Sequence, residues 1–371
     1  MNTTPAEDES VDNAVDEAME QLAAQEAELS STDEVNELPP SDIIAFNELR
    51  SCFDLVRLHE TGKLDIQPDF QREVVWQPAA QTRFIDSLAK QLPIPSMCIA
   101  LDFKNDKRYM VDGLQRMSSL ISFFKNSDWR LTRLNDVYPE LSGKKVSYIK
   151  EHSPEIFERI ENLTIPVTVL RCDMSKKDHQ EYLFTIFHRL NAGGSRLNNQ
   201  EIRNCIYQGS LNSLLLELSK SQMFSSLFDI KENKKYRFSN EELLLRALAH
   251  SEGFEGYNGP LSKYLNNFMS DNRDIDVAKF KDTLEFAIKF IYERVLKGSP
   301  FGRVSKAQIE ALFVAVIRNR AVLEANNDDE IMIKYAGLKE DPLFSVDSLK
   351  DGLAAPDKVI ARLSRAIEVF S

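Results

Sequence analysis

The stretch Asp112-Gly113-Leu114-Gln115-Arg116 decides the fold of the N-terminal half, because it joins a predicted strand to a predicted helix. Residues 108–111 before it favour a short strand. After it, apolar residues recur at helical spacing, at Leu114, Met117, Ile121 and Phe124. The polar residues of the stretch are therefore predicted to lie on the first turn of the helix.

This predicted turn has the chemistry of a phosphate site. Gly113 lets the backbone approach a ligand closely, and the N–H groups and dipole of a helix N-terminus favour an anion. Arg116 would add a charged fork and Gln115 neutral hydrogen bonds. Asp112 either caps the helix or holds a divalent metal. On spacing alone, an ordinary helix start with a surface arginine fits equally well.

The elements before this turn alternate between helix and strand. Apolar spacing predicts a first helix over residues 46–60, and a second one that begins after Trp76 and ends at Pro93-Ile94-Pro95. A strand is predicted over residues 97–101. Between the helices, Pro68 indicates a loop or edge strand, so the polar groups of Gln71 and Arg72 are expected to be available to a ligand.

After Cys172 the sequence predicts helices. One helix ends near Gly193-Gly194, and Asn198 with Glu201 has the spacing of a capping box. Asn191 and Arg203 beside that turn are candidate phosphate ligands, although a surface arginine at a helix end is the commoner arrangement. Further on, Ser239 with Glu242 suggests another capping box, Glu242 faces Arg246 as a structural pair, and the later apolar stripes predict helices of unassigned function.

Charge is distributed unevenly along the 371 residues. Residues 1–40 hold 12 acidic and no basic residues, which leaves 46 acidic against 46 basic residues in the rest. We expect this segment to be a disordered acidic tail, with a solubilising role favoured over nucleic-acid mimicry. No apolar run is long enough to cross a membrane, and the four cysteines have no metal or redox spacing, so a cytoplasmic protein with reduced, mostly buried thiols is expected.

Several motifs in order resemble one known family. They are Pro68-x-Phe70-Gln71-Arg72 followed by Trp76, then Pro93-Ile94-Pro95, then residues 112–116, and finally residues 186–201 with Leu190-Asn191 and Gly193-Gly194. This order is similar to the N-terminal domain of GmrSD-type, modification-dependent restriction enzymes. Leu114 stands where that family has a first glutamine, so any contact made by that side chain is lost.

The resemblance implies an α+β chain with three parts. These are the disordered tail over residues 1–40, a ParB/sulfiredoxin-like nucleotide-binding domain over 41–172 and a helical domain over 173–371. It implies that Arg72, Gly113 and Arg116 bind the phosphates of a nucleoside triphosphate with Mg²⁺. Gln71 and Gln115 would orient phosphate or an attacking water, with Asp112 as a catalytic or metal-holding residue. Sulfiredoxin-type chemistry needs a cysteine in this turn, where Leu114 and Gln115 stand, so we expect no redox catalysis.

The histidines bear on nuclease activity. The five present show no ligand spacing such as His-x-x-x-His, and none follows His250. We therefore expect no HNH-type nuclease in this sequence and a nuclease partner in its place. The first hypothesis is a triphosphate-binding, hydrolysing subunit of a restriction or anti-phage defence system. The alternatives are a module that senses modified DNA with the same groove, and a protein interaction scaffold.

Overall fold

The computed structural model describes residues 39–66, 76–190, 198–228, 240–350 and 353–371. Within them the fold is mixed α+β, as the sequence predicts. The chain divides into a sheet unit over residues 36–197 and a helical unit whose described part begins at Asn198. The predicted boundary after Cys172 coincides with the end of the last strand, and the helix that follows it belongs to the sheet unit. The predicted tail lies almost wholly outside the described residues.

The described strands of the first unit form one five-stranded sheet in the order β1-β5-β3-β4-β2. Strands β1 and β5 are antiparallel, β5 and β3 parallel, β3 and β4 antiparallel, and β4 and β2 parallel. The strands are β1 (Ile44–Ser51), β2 (Leu64–Asp65), β3 (Met97–Asp102), β4 (Lys107–Asp112) and β5 (Thr164–Cys172). The strands predicted over residues 97–101 and 108–111 are therefore confirmed.

Helices pack on the face of this sheet whose side chains form the main core. They are α1 (Cys52–Glu60), α2 (Pro78–Ala89), α3 (Leu114–Lys125), α4 (Val146–His152) and α5 (Pro154–Asn162). Helix α6 (Lys177–Leu190) follows the last strand. Alternate residues of β5, namely Ile165, Val167 and Val169, enter the core beneath α1, α2, α3 and α5. This alternation is the period of a strand with one face in the core, and it fixes the register of β5 against its neighbours.

The predicted helix over residues 46–60 is wrong in its first half. Residues up to Ser51 form the edge strand β1, in which Leu49 is 70% exposed. The helix starts only at Cys52, because the Ser51 side chain accepts a hydrogen bond from the Asp54 N–H and caps it. The spacing of Leu49, Phe53 and Val56 resembles a helical stripe, but it crosses the junction between a strand and a helix.

The described part of the helical unit is built mainly of helices. They are α7 (Asn199–Ile206), α8 (Ser210–Ser219), α9 (Gln222–Ser225), α10 (Asn240–Gly253), α11 (Leu261–Asp271), α12 (Ala278–Phe290), α13 (Lys306–Arg318), α14 (Arg320–Ala325), α15 (Asp328–Glu340), α16 (Val346–Lys350) and α17 (Pro356–Phe370). The predicted capping box is confirmed, since Asn198 accepts from the Glu201 N–H and Glu201 accepts from the Asn198 N–H. Helix α10 is buried around most of its circumference, which places it in the centre of this unit.

Two further properties concern the whole described chain. All four cysteines are buried free thiols, as the sequence predicts. Over the described ranges, none of the helices combines the length and the apolar composition that a membrane crossing requires.

Candidate functional site

The predicted turn lies where β4 ends and α3 begins, and Gly113 makes the connection. Its φ of 108° is in the left-handed region, where side chains are disfavoured. A Cβ atom at this position would lie 2.8 Å from Cγ of Met97, the first residue of the neighbouring strand β3. Glycine is therefore required here both by the backbone conformation and by the packing of Met97.

The N-terminus of α3 faces outward from the end of this strand without a capping side chain. The N-cap residue is Gly113, and no side chain caps the helix. Of the two roles considered for Asp112, capping is not what the structure shows, because its Oδ2 accepts from Arg116 at 2.8 Å. The first-turn N–H groups and the helix dipole leave the end of α3 suited to a negatively charged ligand.

Arg116 is held by the loop before β3. Its guanidinium donates to the carbonyl oxygens of Pro95 and Ser96 and pairs with Asp112, and its side chain is 12% exposed. The Pro93-Ile94-Pro95 motif and the turn at residues 112–116 therefore meet in space. The two terminal nitrogens of the Arg116 guanidinium already hold this loop and Asp112. A ligand would therefore contact the part of the guanidinium that faces away from them.

Gln115 connects the turn to the segment that carries the other predicted site residues. Its Oε1 accepts a hydrogen bond from the backbone N–H of Trp76 at 2.9 Å. Gln71 and Arg72 lie outside the described residues. Arg72 is four residues from Trp76, so covalent geometry alone limits its Cα to roughly 14 Å from that of Trp76. The Gln115 contact thus anchors one end of that segment at the turn.

A polar row that the sequence analysis missed crosses four strands beside the turn. Sheet register aligns Asn47, Thr168, Cys98 and Asp112 in turn across β1, β5, β3 and β4. Thr168 donates to Asn47 at 2.9 Å, and its hydroxyl lies 3.1 Å from that of Ser96. Each residue is unremarkable in its own segment, so only the pairing of the strands could have revealed the row.

Cys98 is the cysteine of this row. Burial, with a smaller contribution from the charge of Asp112, raises the pKa of its thiol to about 12. A thiol with this pKa is almost wholly protonated at neutral pH and a weak nucleophile. This agrees with the expectation that the turn does not perform sulfiredoxin-type chemistry.

The two remaining candidates are separate from this turn. Asn191 lies outside the described residues. Arg203 lies on α7 of the helical unit, 1% exposed, where it donates to Glu242, Asn266 and Gln200. Burial lowers the pKa of the Arg203 guanidinium, and the charge of Glu242 opposes that shift. Its expected place at a helix surface is therefore wrong, and its role as a phosphate ligand stays a prediction.

Comparison with known proteins agrees with the motifs. Residues 53–208 match the model of a family described as GmrSD restriction endonuclease, N-terminal domain. This segment of the chain thus belongs to the GmrSD-type N-terminal domain family, and it contains the whole turn at residues 112–116. No curated protein and no solved structure gave a match.

Proposed function

We propose that this chain binds and hydrolyses a nucleoside triphosphate as a subunit of a modification-dependent restriction or defence system, together with a separate nuclease. The observation that carries the proposal is the uncapped N-terminus of α3, which begins at Gly113 inside a segment that matches a restriction endonuclease domain. Backbone N–H groups at a helix start hold phosphate oxygens, and Arg72 and Arg116 would neutralise their charge.

Asp112 is the carboxylate that fits a magnesium ion at this turn. One of its oxygens pairs with Arg116, and its side chain is 40% exposed. Mg²⁺ is commonly held by one or two carboxylates while phosphate oxygens and waters complete its shell. The ion would neutralise phosphate charge during transfer to water, and Gln71 and Gln115 would orient that water. The Oε1 of Gln115 is engaged by Trp76, so this role requires its amide nitrogen or a change of partner.

Calorimetric titration with each of the four ribonucleoside triphosphates and Mg²⁺ tests the proposal. We expect one of them to bind, and Arg72→Ala and Arg116→Ala to weaken binding by roughly 10- to 100-fold, since each removes charge-assisted hydrogen bonds. Arg57→Ala is the matched control, because Arg57 is an exposed arginine of the same unit that pairs only locally with Asp54.

The outcomes separate the candidate functions. Binding that both variants retain would contradict the assigned phosphate site. A folded protein that binds no triphosphate, but binds modified DNA with an affinity that falls steeply with salt, would favour the DNA-sensing module instead. Turnover is measured separately by phosphate release, with Asp112→Asn as the variant expected to bind and not to hydrolyse.

A further inference from the structure

A second candidate site lies inside the helical unit, where a cavity opens among helices α7, α10, α13 and α17. It contains about 720 Å³ of empty space, its open mouth included. Apolar side chains such as Leu261 and Leu363 form part of its wall, and polar and charged side chains form the rest. A cavity into which a few polar groups converge has the general form of a small-molecule site.

The charged wall is a connected cluster. Glu242 accepts from Arg203 at 2.9 Å and from Arg246 at 2.6 Å. Arg246 also contacts Glu310 at 3.3 Å, and His250 Nδ1 lies 2.7 Å from the same carboxylate. Glu242, Arg246 and His250 are spaced four residues apart, so they follow one face of α10. This charged face of α10 lines the cavity.

The described residues of this wall include three arginines. Arg362 of α17 adds a third guanidinium, which also donates to the Leu353 carbonyl at 2.5 Å. Burial raises the pKa of the Glu310 carboxyl, but His250 and Arg246 outweigh it and bring the pKa to about 2. The arginines likewise keep the pKa of Glu242 below its ordinary value despite burial. The described lining of the cavity thus brings together three guanidinium groups and two ionised carboxylates.

The imidazole ring of His250 is buried, and it lacks a hydrogen-bond partner among the described residues. Its side chain is 1% exposed, stacks on Tyr264 and meets the edge of Tyr257. Nε2 has no hydrogen-bond partner among the described residues, and Nδ1 is close to Glu310 but poorly aligned for a hydrogen bond. A buried polar atom without a partner destabilises the fold, and an occupant of the adjacent cavity would relieve this cost.

We propose that this cavity binds a phosphate group, as inorganic phosphate or as part of a small phosphate monoester. A phosphate oxyanion matches the planar donor fork of arginine. With a proton on Nδ1, the nitrogen that lies beside the Glu310 carboxylate, Nε2 is an acceptor in a neutral ring and a donor in a charged ring. Near neutral pH inorganic phosphate carries both P–O⁻ and P–OH groups and can meet Nε2 in either state. A monoester is mainly the dianion at that pH and meets the charged ring, and a carboxylate can likewise only accept. The site is independent of the triphosphate site proposed at α3.

The full chain is titrated with inorganic phosphate, glycerol 3-phosphate and acetate at constant ionic strength. Thermal unfolding and the ring nitrogen resonances of His250 are followed. We expect both phosphates, and not acetate, to shift those resonances and to raise the Tm by roughly 3 to 6 °C at about ten times Kd. His250→Phe keeps a ring against Tyr264 and removes both nitrogens, so it should abolish the Tm shift. Arg116→Ala should retain it.

The outcomes show which phosphate compound the cavity prefers, and they decide whether the proposal holds. Tighter binding of glycerol 3-phosphate identifies a monoester site, and tighter binding of inorganic phosphate identifies a site for the free ion. The proposal is overturned if neither phosphate moves the His250 resonances, if acetate acts equally well, or if folded His250→Phe keeps the full response. Should that variant fail to fold, the resonances of the unaltered protein still decide the question.

Discussion

Two arginine–carboxylate pairs with the same sequence spacing occupy opposite environments. Asp112 and Arg116 are four residues apart and 2.8 Å apart in space, and so are Glu242 and Arg246 at 2.6 Å. Asp112 is 40% exposed beside an uncapped helix, whereas both members of the second pair are under 10% exposed. The comparison shows that spacing predicts contact, while burial decides what the contact is worth and which ligands can reach it.

The largest expected difference follows from removing the two carboxylates. Glu242→Gln leaves Arg203 and Arg246 buried without their shared counter-charge, and we expect it to lower the free energy of unfolding by about 3–5 kcal/mol. Asp112→Asn should cost under about 1 kcal/mol, because solvent screens that pair. Urea denaturation of both variants measures the difference.

Glu252→Gln is the matched control for Glu242, since Glu252 lies on the same helix in an exposed pair with Lys279. It should change the free energy of unfolding by no more than about 1 kcal/mol. Equal losses in Glu242→Gln and Glu252→Gln would contradict the importance assigned to burial.

Lowering the pH should also reveal the stability that the buried charged cluster contributes. Burial raises the pKa of Glu310, yet His250 and Arg246 lower it more, to about 2 in the folded protein. A depressed folded pKa contributes stability above the unfolded value near 4.5, and this is lost as pH falls toward 2. The stability difference between the unaltered protein and Glu310→Gln should therefore shrink by about 2 kcal/mol from pH 6 to pH 3. A constant difference in urea unfolding across that range would contradict the ionised, paired carboxylate.

What the sequence could predict was the local structure. The strand, turn and helix around Gly113 depend on neighbouring residues, and so does the Asn198 capping box. Arg116 also donates to two carbonyls that lie 20 and 21 residues upstream, and Arg203 to Glu242 and Asn266, which lie 39 and 63 residues downstream. Such contacts depend on the tertiary fold, which is why Arg203 was expected at a surface. The prediction that Leu49 lies in a helix is wrong for another reason. The helical spacing of apolar residues there begins in a strand and continues into the helix that Ser51 caps.

The conformation of Gly113 permits a sharper test of the exposed turn. Gly113→Ala should destabilise the protein by about 1–3 kcal/mol, because it combines a left-handed φ with a clash against Met97. Gly62→Ala is the matched control, since Gly62 has a φ of 70° and nothing within 4 Å of an added Cβ. Its cost should be about 1 kcal/mol, that of the backbone conformation alone. Equal unfolding free energies for the two variants would show that the Met97 side chain moves away from the added methyl group without lowering stability.

The smallest expected effect concerns the anchor between the turn and the segment that precedes Trp76. Gln115→Met keeps the length of the side chain and removes the acceptor of the Trp76 N–H, which should cost about 1 kcal/mol or less. Hydrogen exchange at the Trp76 amide should accelerate by roughly fivefold, the rate equivalent of that energy. Gln115→Glu retains an acceptor and should leave the exchange slow. If both variants exchange as slowly as the unaltered protein, the contact does not hold Trp76 at the turn.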